Sequence, residues 1–307
     1  MTDPRGSSSP DTLPAGFVAL VGRPNVGKST LLNALLGQKV SIATRKPQTT
    51  RHRILGIHQR EDAQIVYVDT PGLHEGGRTA MNRYMNEAAG SALSEVDVVV
   101  FMTEAGRWTE ADERVLRRLK CGNAPVIAVI NKVDRVRDKN RLLPDISQMA
   151  ERGDFAAVVP VSAEKKDNLE ALEAAVIEHL PASPPLFPRD QVTDRDERFM
   201  ATELVREQLT LMLGDELPYA STVEIEAFEQ EGRLRRIAAI IWVERVGQRR
   251  IVIGEGGERI KRIGAAARQE MERLFGGRVY LKLWVKVREG WSDDARMLQS
   301  LGYTPQE

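Results

Sequence analysis

The sequence predicts an α/β domain with a mostly parallel sheet and helices on both faces, followed by a smaller α+β domain. From residue 17 to about residue 180, short apolar runs alternate with helical patterns. Four prolines within eight residues then interrupt both patterns: Pro181, Pro184, Pro185 and Pro188. After them the predicted order is helix, strand, strand, helix, helix, strand.

The strands of the first domain are predicted where apolar residues form short, nearly unbroken runs, as in a sheet covered on both faces. They span residues 17–21, 64–69, 97–102, 125–130 and 156–161. Helices are predicted where apolar residues recur at helical spacing. They span residues 28–36, 78–93, 110–120, 141–151 and 168–179.

In the second domain, residues 196–213 are predicted to be helical, and residues 222–228 and 237–244 alternate as half-buried strands. Residues 251–257 lead into a further helix, and residues 279–288 alternate strictly as the last strand. We therefore expect a disordered tail at 1–14, the first domain at 15–182, a Pro-rich linker at 183–196 and the second domain at 197–307, ending in a C-terminal helix.

Composition limits the function classes. Lysine plus arginine equals aspartate plus glutamate at 44 each, so a nucleic-acid surface must be a local patch. The lone cysteine, Cys121, excludes a disulfide framework and favours a reducing compartment. The four histidines have no partners at metal-ligand spacing, and no apolar run reaches the length of a membrane span. With no targeting peptide in the sequence, we expect a cytoplasmic protein.

A phosphate-binding loop is predicted directly after the first strand, where the sequence reads Gly-Arg-Pro-Asn-Val-Gly-Lys-Ser. Glycines let successive amides converge on phosphate, and the following helix adds positive potential at its amino end. Lys28 is expected to reach the outer phosphates and Ser29 to bind Mg²⁺. The predicted nucleotide contacts of this loop are Gly22, Asn25, Val26, Gly27, Lys28, Ser29 and Thr30.

Three further motifs follow the predicted strands of the same sheet. Asp69-Thr-Pro-Gly72 is expected to place a carboxylate near Mg²⁺ and an amide near the terminal phosphate. The sequence from Asn131 through Lys132 to Asp134 offers a carboxylate that accepts two protons from guanine. At Ser162 and Ala163 a backbone amide is expected to contact the guanine oxygen. All of these motifs end parallel strands, where ligands bind in open sheets.

These motifs together resemble those of translation-factor-type GTPases. In that resemblance Lys132 packs on the base, and Thr49 or Thr50 closes on magnesium. Thr50 is preferred because it directly precedes an arginine, as in related GTPases. The expected catalytic set is Lys28, Thr50, Asp69 and Gly72, with Ser29, Thr50 and Asp69 as magnesium ligands.

Two positions bear on the rate of hydrolysis. Leu73 follows the Asp-Thr-Pro-Gly motif, where Ras-like enzymes have a glutamine that orients water, and leucine lacks that ability. In GTPases that resemble this chain, the residue corresponding to Asn25 binds K⁺, so potassium is an expected second ion. The alternative for Asn25 is a turn residue that bonds its own backbone.

An RNA-binding loop is predicted at Gly254-Glu-Gly-Gly257, which resembles the Gly-x-x-Gly loop of type II KH domains. The expected RNA contacts are Gly254, Glu255, Gly256, Gly257, Arg259 and Lys261. Residues 249–289 contain eleven basic and five acidic residues, a local excess of +6. Lys282, Trp284, Lys286 and Arg288 share one face of the last strand, but a solvated amphipathic strand explains them better.

Nearly the whole chain, from about residue 16 to residue 303, resembles the Era family of ribosome-assembly GTPases. Beyond the shared motifs, the stretches that carry the resemblance begin at Arg45 (RKPQTTRH), Asp190 (DQVTDR), Glu216 (ELPY), Val243 (VER) and Leu283 (LWVK). The resemblance implies binding to the 3′ end of small-subunit ribosomal RNA and association with the small ribosomal subunit. It also implies loose attachment to the inner face of the cell membrane, and a monomer is expected.

Two departures and three alternatives accompany this interpretation. The amino-terminal tail is extra, and Glu255 stands where the family commonly has lysine, which should weaken phosphate contact. One alternative is an RNA-binding module whose nucleotide is structural. Another is a tRNA-modification GTPase, which would carry a reactive cysteine near its carboxyl end, whereas Cys121 lies in the first domain. A double-GTPase assembly factor is excluded because the sequence holds one phosphate-binding loop.

Overall fold

The structure is a computed structural model that describes residues 12–72, 79–138, 140, 142–214 and 217–303. Its described residues form two compact units. The first takes its described residues from 1–37, 55–69 and 92–194, and the second from 38–54, 70–91 and 195–307. Two stretches inside the predicted first domain, residues 38–54 and 70–91, therefore pack with the second unit.

The first unit is an open α/β sheet. Its strands are β1 (Leu13–Val21), β2 (Ile54–Gln59), β3 (Gln64–Asp69), β4 (Val98–Glu104), β5 (Val126–Asn131), β6 (Ala157–Pro160) and β7 (Ala182–Ser183). The order is β2-β3-β1-β4-β5-β6, and β7 pairs antiparallel with β1. The pairs of β1 with β3 and β4, of β4 with β5, and of β5 with β6 are parallel, as predicted.

Helices connect these strands. They are α1 (Lys28–Leu36), α2 (Ala80–Ser94), α3 (Glu110–Leu119), α4 (Leu142–Arg152) and α5 (Leu169–Ile177). Every residue of β3 is buried, which explains its unbroken apolar character. Because parallel strands share one carboxyl edge, the segments that follow β1, β3, β5 and β6 meet along that edge.

The second unit contains α6 (Glu197–Met212), β8 (Ser221–Glu231), β9 (Leu234–Val243), α7 (Val246–Ile253), α8 (Glu258–Phe275), β10 (Arg278–Val287) and α9 (Ala295–Ser300). β9 lies between β8, which is antiparallel to it, and β10, which is parallel to it. One face of this sheet is buried with α6 and α8 in an apolar core that includes Leu204, Ile241, Ile263 and Met271. This is the predicted α+β order.

The predicted elements match the structure closely apart from shifts of a few residues at their ends, and the short strand β7 was not predicted. Three further differences are as follows. The strand β2 is absent from the prediction, because its three apolar residues are separated by Gly56 and followed by histidine and glutamine, which breaks both the apolar run and the alternation. The helix α7 begins at Val246, before the predicted lead-in at residue 251. Residues 1–11 of the predicted tail lie outside the described residues, and Leu13 and Pro14 begin β1 by pairing with β7.

Within the part of the chain that the structure describes, no helix has both the length and the apolar character that crossing a membrane requires.

Candidate guanine-nucleotide and RNA sites

The loop between β1 and α1 has a backbone that glycine alone fits at two points. Gly27 has φ 106°, and a Cβ atom there would lie 2.4 Å from Nδ2 of Asn131. Gly22 has φ 157°, and a Cβ atom there would lie 2.5 Å from the carbonyl oxygen of Met102. The loop is therefore pressed against the ends of β4 and β5, as a phosphate cradle at the sheet edge requires.

Lys28 is buried at the centre of this loop. Its Nζ donates to the carbonyl oxygens of Gly22 at 3.0 Å and Arg23 at 3.2 Å. Burial lowers the pKa of Lys28 to about 8, although the charge of Asp69 opposes that shift. The ammonium group of Lys28 is thus buried, and the negative charge of a bound phosphate would stabilise its charged form.

Ser29 and Asp69 are brought together at the start of α1 and the end of β3. The Oγ of Ser29 donates to Oδ2 of Asp69 at 2.6 Å, and Asp69 is fully buried. A hydroxyl and a carboxylate oxygen at this separation suit the hard-oxygen preference of Mg²⁺. The other two expected catalytic residues, Thr50 and Gly72, are both buried and belong to the second unit, while Leu73 lies outside the described residues.

The remaining loop residues support the base side of the site. Asn25 is exposed, with a left-handed φ of 65°, and its carbonyl oxygen accepts from Nζ of Lys132 at 2.8 Å. Val26 is buried, and its carbonyl oxygen accepts from Nδ2 of Asn131 at 2.8 Å. Thr30 is half-buried in the first turn of α1. The backbone of the phosphate loop is therefore tied to the base-binding segment.

The predicted base-binding residues lie together after β5 and β6. Lys132 takes a left-handed φ of 66°, and Oδ1 of Asn131 accepts the amide of Lys132 at 2.7 Å. Asp134 is exposed, and one of its oxygens accepts from Oγ of the buried Ser162 at 2.5 Å. That bond orients the carboxylate, whose exposed position leaves it able to accept further hydrogen bonds.

The two amides expected at the guanine oxygen have protein partners in the structure. The amide of Ser162 donates to the carbonyl oxygen of Asp167 at 3.1 Å, and that of Ala163 donates to Oδ1 of Asn131 at 3.0 Å. Contact between Ala163 and guanine therefore requires the amide to be shared with Asn131 or released by it.

An ionic network beneath the nucleotide site was missed by the sequence reasoning. Arg23 donates from Nε to Asp112 and from NH2 to Glu104, both at 3.0 Å, and Glu104 also lies 3.1 Å from Nζ of Lys132. Asp112 is fully buried. Burial works to raise the pKa of Glu104, but its bonds to Arg23 and Lys132 outweigh burial and lower that pKa. The network joins the phosphate loop to the lysine expected to cover the base. The sequence feature that could have predicted it is Glu104, an acidic residue at the end of β4.

The predicted RNA loop links α7 to α8 through three glycines with left-handed φ angles. Gly254, Gly256 and Gly257 have φ 73°, 57° and 79°. Gly257 precedes α8 and gives it no side-chain cap, while the amide of Glu258, the first residue of this 18-residue helix, donates to the carbonyl oxygen of Glu255. A Cβ atom at Gly256 or Gly257 would meet nothing within 4 Å, so the loop is open.

The charged side chains around this loop differ in whether they are hydrogen-bonded to the protein or exposed. Arg259 donates from NH1 to the carbonyl oxygen of Ile251 at 2.5 Å, and thereby ties α8 back to α7. Lys261 and Glu255 are both exposed. On the outer face of β10, Tyr280 and Trp284 remain 48% and 41% exposed. The exposed charged side chains beside this helix end are thus mixed in sign, with Glu255 and Glu258 against Lys261 and Arg262.

Comparison with known proteins gives matches to both domains and to the full chain. Residues 17–132 match a family described as 50S ribosome-binding GTPase, and residues 216–292 match the KH domain. The chain is 55% identical to GTPase Era of Pseudomonas fluorescens over 94% of its own length and 96% of that protein. It is 57% identical to GTPase Era of Stenotrophomonas maltophilia over 94% of its length and 97% of that protein.

Solved structures agree. Aquifex aeolicus Era Y63A, bound to GDP and AlF4⁻, superposes with a TM-score of 0.91 at 40% identity, covering 95% of this chain and 99% of that one. An Era structure in complex with MgGDPNP and nucleotides 1506–1542 of 16S ribosomal RNA gives the same score, identity and coverage. The fold is therefore a P-loop GTPase domain followed by a KH domain, and this chain is a GTPase that belongs to the Era family.

Proposed function

We propose that this chain is a GTP-driven switch that binds the single-stranded 3′ end of small-subunit ribosomal RNA during assembly of the small ribosomal subunit. The observation that carries this proposal is an open Gly-x-x-Gly loop and an uncapped helix end in the same chain as a guanine-nucleotide site. The relative solved with nucleotides of 16S ribosomal RNA supports the choice of RNA.

In the proposed nucleotide site, each side chain acts on a separate part of GTP. Lys28 and the loop amides neutralise the phosphates, and the carboxylate of Asp134 accepts the two ring-edge protons of guanine. Ser29, Asp69 and Thr50 would hold Mg²⁺, which supplies charge neutralisation at the outer phosphates when bound. We further propose that Gly72 contributes an amide to the terminal phosphate and that Asn25 binds K⁺.

Unassisted hydrolysis should be slow. Leucine at position 73 supplies no polar atom to orient the attacking water, so turnover is expected below about 1 s⁻¹. A slow switch is useful in assembly only when a partner controls it, and RNA bound to the KH domain is the proposed partner. GTP should then change RNA affinity roughly 5- to 150-fold, and RNA should change GTP affinity by the same factor.

The RNA site is tested by adding a charge where phosphate must approach. Gly257→Asp puts a carboxylate at the amino end of α8 and should abolish binding to an RNA with the sequence of the 16S ribosomal RNA 3′ end, while basal GTP hydrolysis stays near the wild-type rate. Gly276→Asp is the matched control, because Gly276 also has a left-handed φ, of 64°, and open space around it, but lies at the other end of α8.

Binding is measured by titration with GDP or a non-hydrolysable GTP analogue, at several salt concentrations and beside a scrambled RNA. Equal loss in both glycine variants would attribute the effect to backbone strain and remove the support for this loop. Equal affinity for scrambled RNA would reject the proposed RNA target, and identical affinities with both nucleotides would reject the switch.

A further inference from the structure

Residues 38–54, which contain the candidate magnesium ligand Thr50, pack with the KH domain in the second unit. One link next to Thr50 is made by Arg206 of α6. Its NH2 group donates to the carbonyl oxygen of Thr49 at 2.5 Å, and Arg206 is 2% exposed. That carbonyl belongs to the planar peptide group that also contains the amide nitrogen of Thr50. The bond therefore restrains the orientation of the backbone at Thr50.

Arg206 is held in place by Glu203, one turn earlier on α6. Nε of Arg206 donates to one oxygen of Glu203 at 2.8 Å, and NH2 donates to the other at 2.6 Å. Both side chains are almost fully buried. Burial works to raise the pKa of Glu203, but the charge and hydrogen bonds of Arg206, together with smaller effects of His52 and Arg51, hold that pKa below its usual value. The guanidinium is therefore locked in one orientation, with a donor left for Thr49.

Contacts on either side of Thr50 reinforce this link. Arg51 is 3% exposed and donates to the carbonyl oxygens of Ser221 at 2.9 Å and Pro218 at 2.8 Å. Lys39 lies 2.6 Å from Glu207 of α6. The segment before and after Thr50 is thus attached to the domain that carries the RNA loop.

We infer that Arg206, oriented by Glu203, is the positioning residue that couples the nucleotide site to the RNA-binding domain, an inference that rests on the proposed switch. A change in how the Thr50 backbone approaches the nucleotide would shift this peptide group, and the hydrogen bond from Arg206 would transmit that shift to α6. α6 packs against α8, the helix that begins at the RNA loop. No substrate contact is assigned to either residue.

The test removes the pair without leaving a buried charge. Truncating Arg206 alone would strand the Glu203 carboxylate, which is strongly destabilising, so the variant is Glu203→Gln with Arg206→Met. The matched control is Glu197→Gln with Arg235→Met. That pair is also bidentate, at 2.7 and 2.6 Å, and also begins on α6, but it joins α6 to β9.

The measured quantity is the ratio of RNA dissociation constants with GDP and with a GTP analogue. In wild type we expect the two dissociation constants to differ by a factor of roughly 5 to 150, in either direction. In the Glu203/Arg206 variant they should differ by no more than about twofold, while the control variant keeps the wild-type ratio. RNA affinity with GDP should stay within about threefold of wild type. A wild-type ratio of one refutes the proposed switch itself; a coupled wild type with an equally coupled Glu203/Arg206 variant overturns only this inference. Loss of coupling in both variants also overturns it, because the effect would not be specific to Arg206.

A second measurement uses the unmodified protein, so that a variant that fails to fold does not decide the matter. Hydrogen exchange of a peptide covering residues 44–54 is followed in the GTP-analogue complex with and without RNA. RNA should change protection there, since the peptide is hydrogen-bonded to α6. Unchanged exchange at saturating RNA would contradict the inference.

Discussion

Acid should destabilise the second unit through one buried histidine, His52. Its ring stacks on Tyr303 with centroids 4.5 Å apart, and Nδ1 lies 3.3 Å from the hydroxyl of Tyr84. Burial lowers the pKa of His52 from 6.5 to about 3, against the charge of Glu203. The unfolded chain therefore binds a proton below pH 6.5 that the folded unit excludes, so stability is present at neutral pH and is lost as pH falls.

The magnitude follows from the two pKa values. Between pH 7 and pH 5, protonation of the unfolded state should lower the free energy of unfolding by about 2 kcal/mol through His52 alone. This change in the free energy of unfolding is set mainly by the pKa of His52 in the unfolded chain. It alters little so long as the pKa in the folded protein stays below about 4. His52→Phe keeps a ring against Tyr303 but removes the titrating group, so it should remove this part of the pH dependence.

The assay is denaturant unfolding of both proteins at pH 7 and pH 5, followed by tryptophan fluorescence. Trp242, Trp284 and Trp291 lie in the second unit and Trp108 lies in the first, so the signal reports mainly the unit of interest. His179→Gln, in the first unit, controls for replacement of a histidine as such. An equal loss of stability in wild type and His52→Phe over this pH interval would refute the assignment.

Three further predictions concern the nucleotide site. Asp134→Asn should shift preference from GTP to xanthosine triphosphate, because an amide cannot accept both guanine protons; retained GTP preference in competition binding would show that the base lies elsewhere. GTP affinity should be level below about pH 8 and fall above it as Lys28 deprotonates in the free protein, whereas Lys28→Arg should show no such fall; matching pH profiles would contradict the lowered pKa. Replacing K⁺ by Na⁺ should slow hydrolysis in wild type but not in Asn25→Ala, and equal wild-type rates in both salts would reject the potassium site.

The local motifs were predictable because short-range chemistry determines them. The phosphate loop needs glycine where Asn131 and Met102 approach its backbone, and the sequence supplies glycine at both places. The bounds of α1 and β3 coincide with the predicted ones. The glycine that ends the phosphate loop marks the start of α1, and the apolar run of β3 lies between two polar residues, Gln64 and Asp69. Ser29 and Asp69 lie close together because β1 and β3, the strands that precede them, are adjacent and parallel.

The long-range contacts were not predictable from patterns. Arg206 and Glu203 lie on the side of α6 opposite the core residues Leu204 and Leu209, where periodicity predicts solvent exposure, yet both are buried. Their partner, the carbonyl oxygen of Thr49, is a backbone atom distant in sequence and carries no side-chain signal. Arg51 and His52 were read as part of a family motif, whereas the structure buries both of them against the second unit.

This burial changes what nucleotide binding must do. A switch segment held by the nucleotide alone loses its order when the nucleotide leaves, and ordering it again opposes binding. Here Arg51, Arg206 and Lys39 also attach the segment to the rest of the second unit through hydrogen bonds. GTP must therefore compete or cooperate with existing protein contacts. The free energy of these contacts can differ between the two nucleotide states, and that difference is the upper limit of the coupling free energy transmitted to α6. Substitutions on α6 that touch neither ligand should accordingly alter GTP affinity and RNA affinity together, because linkage between the two sites is reciprocal.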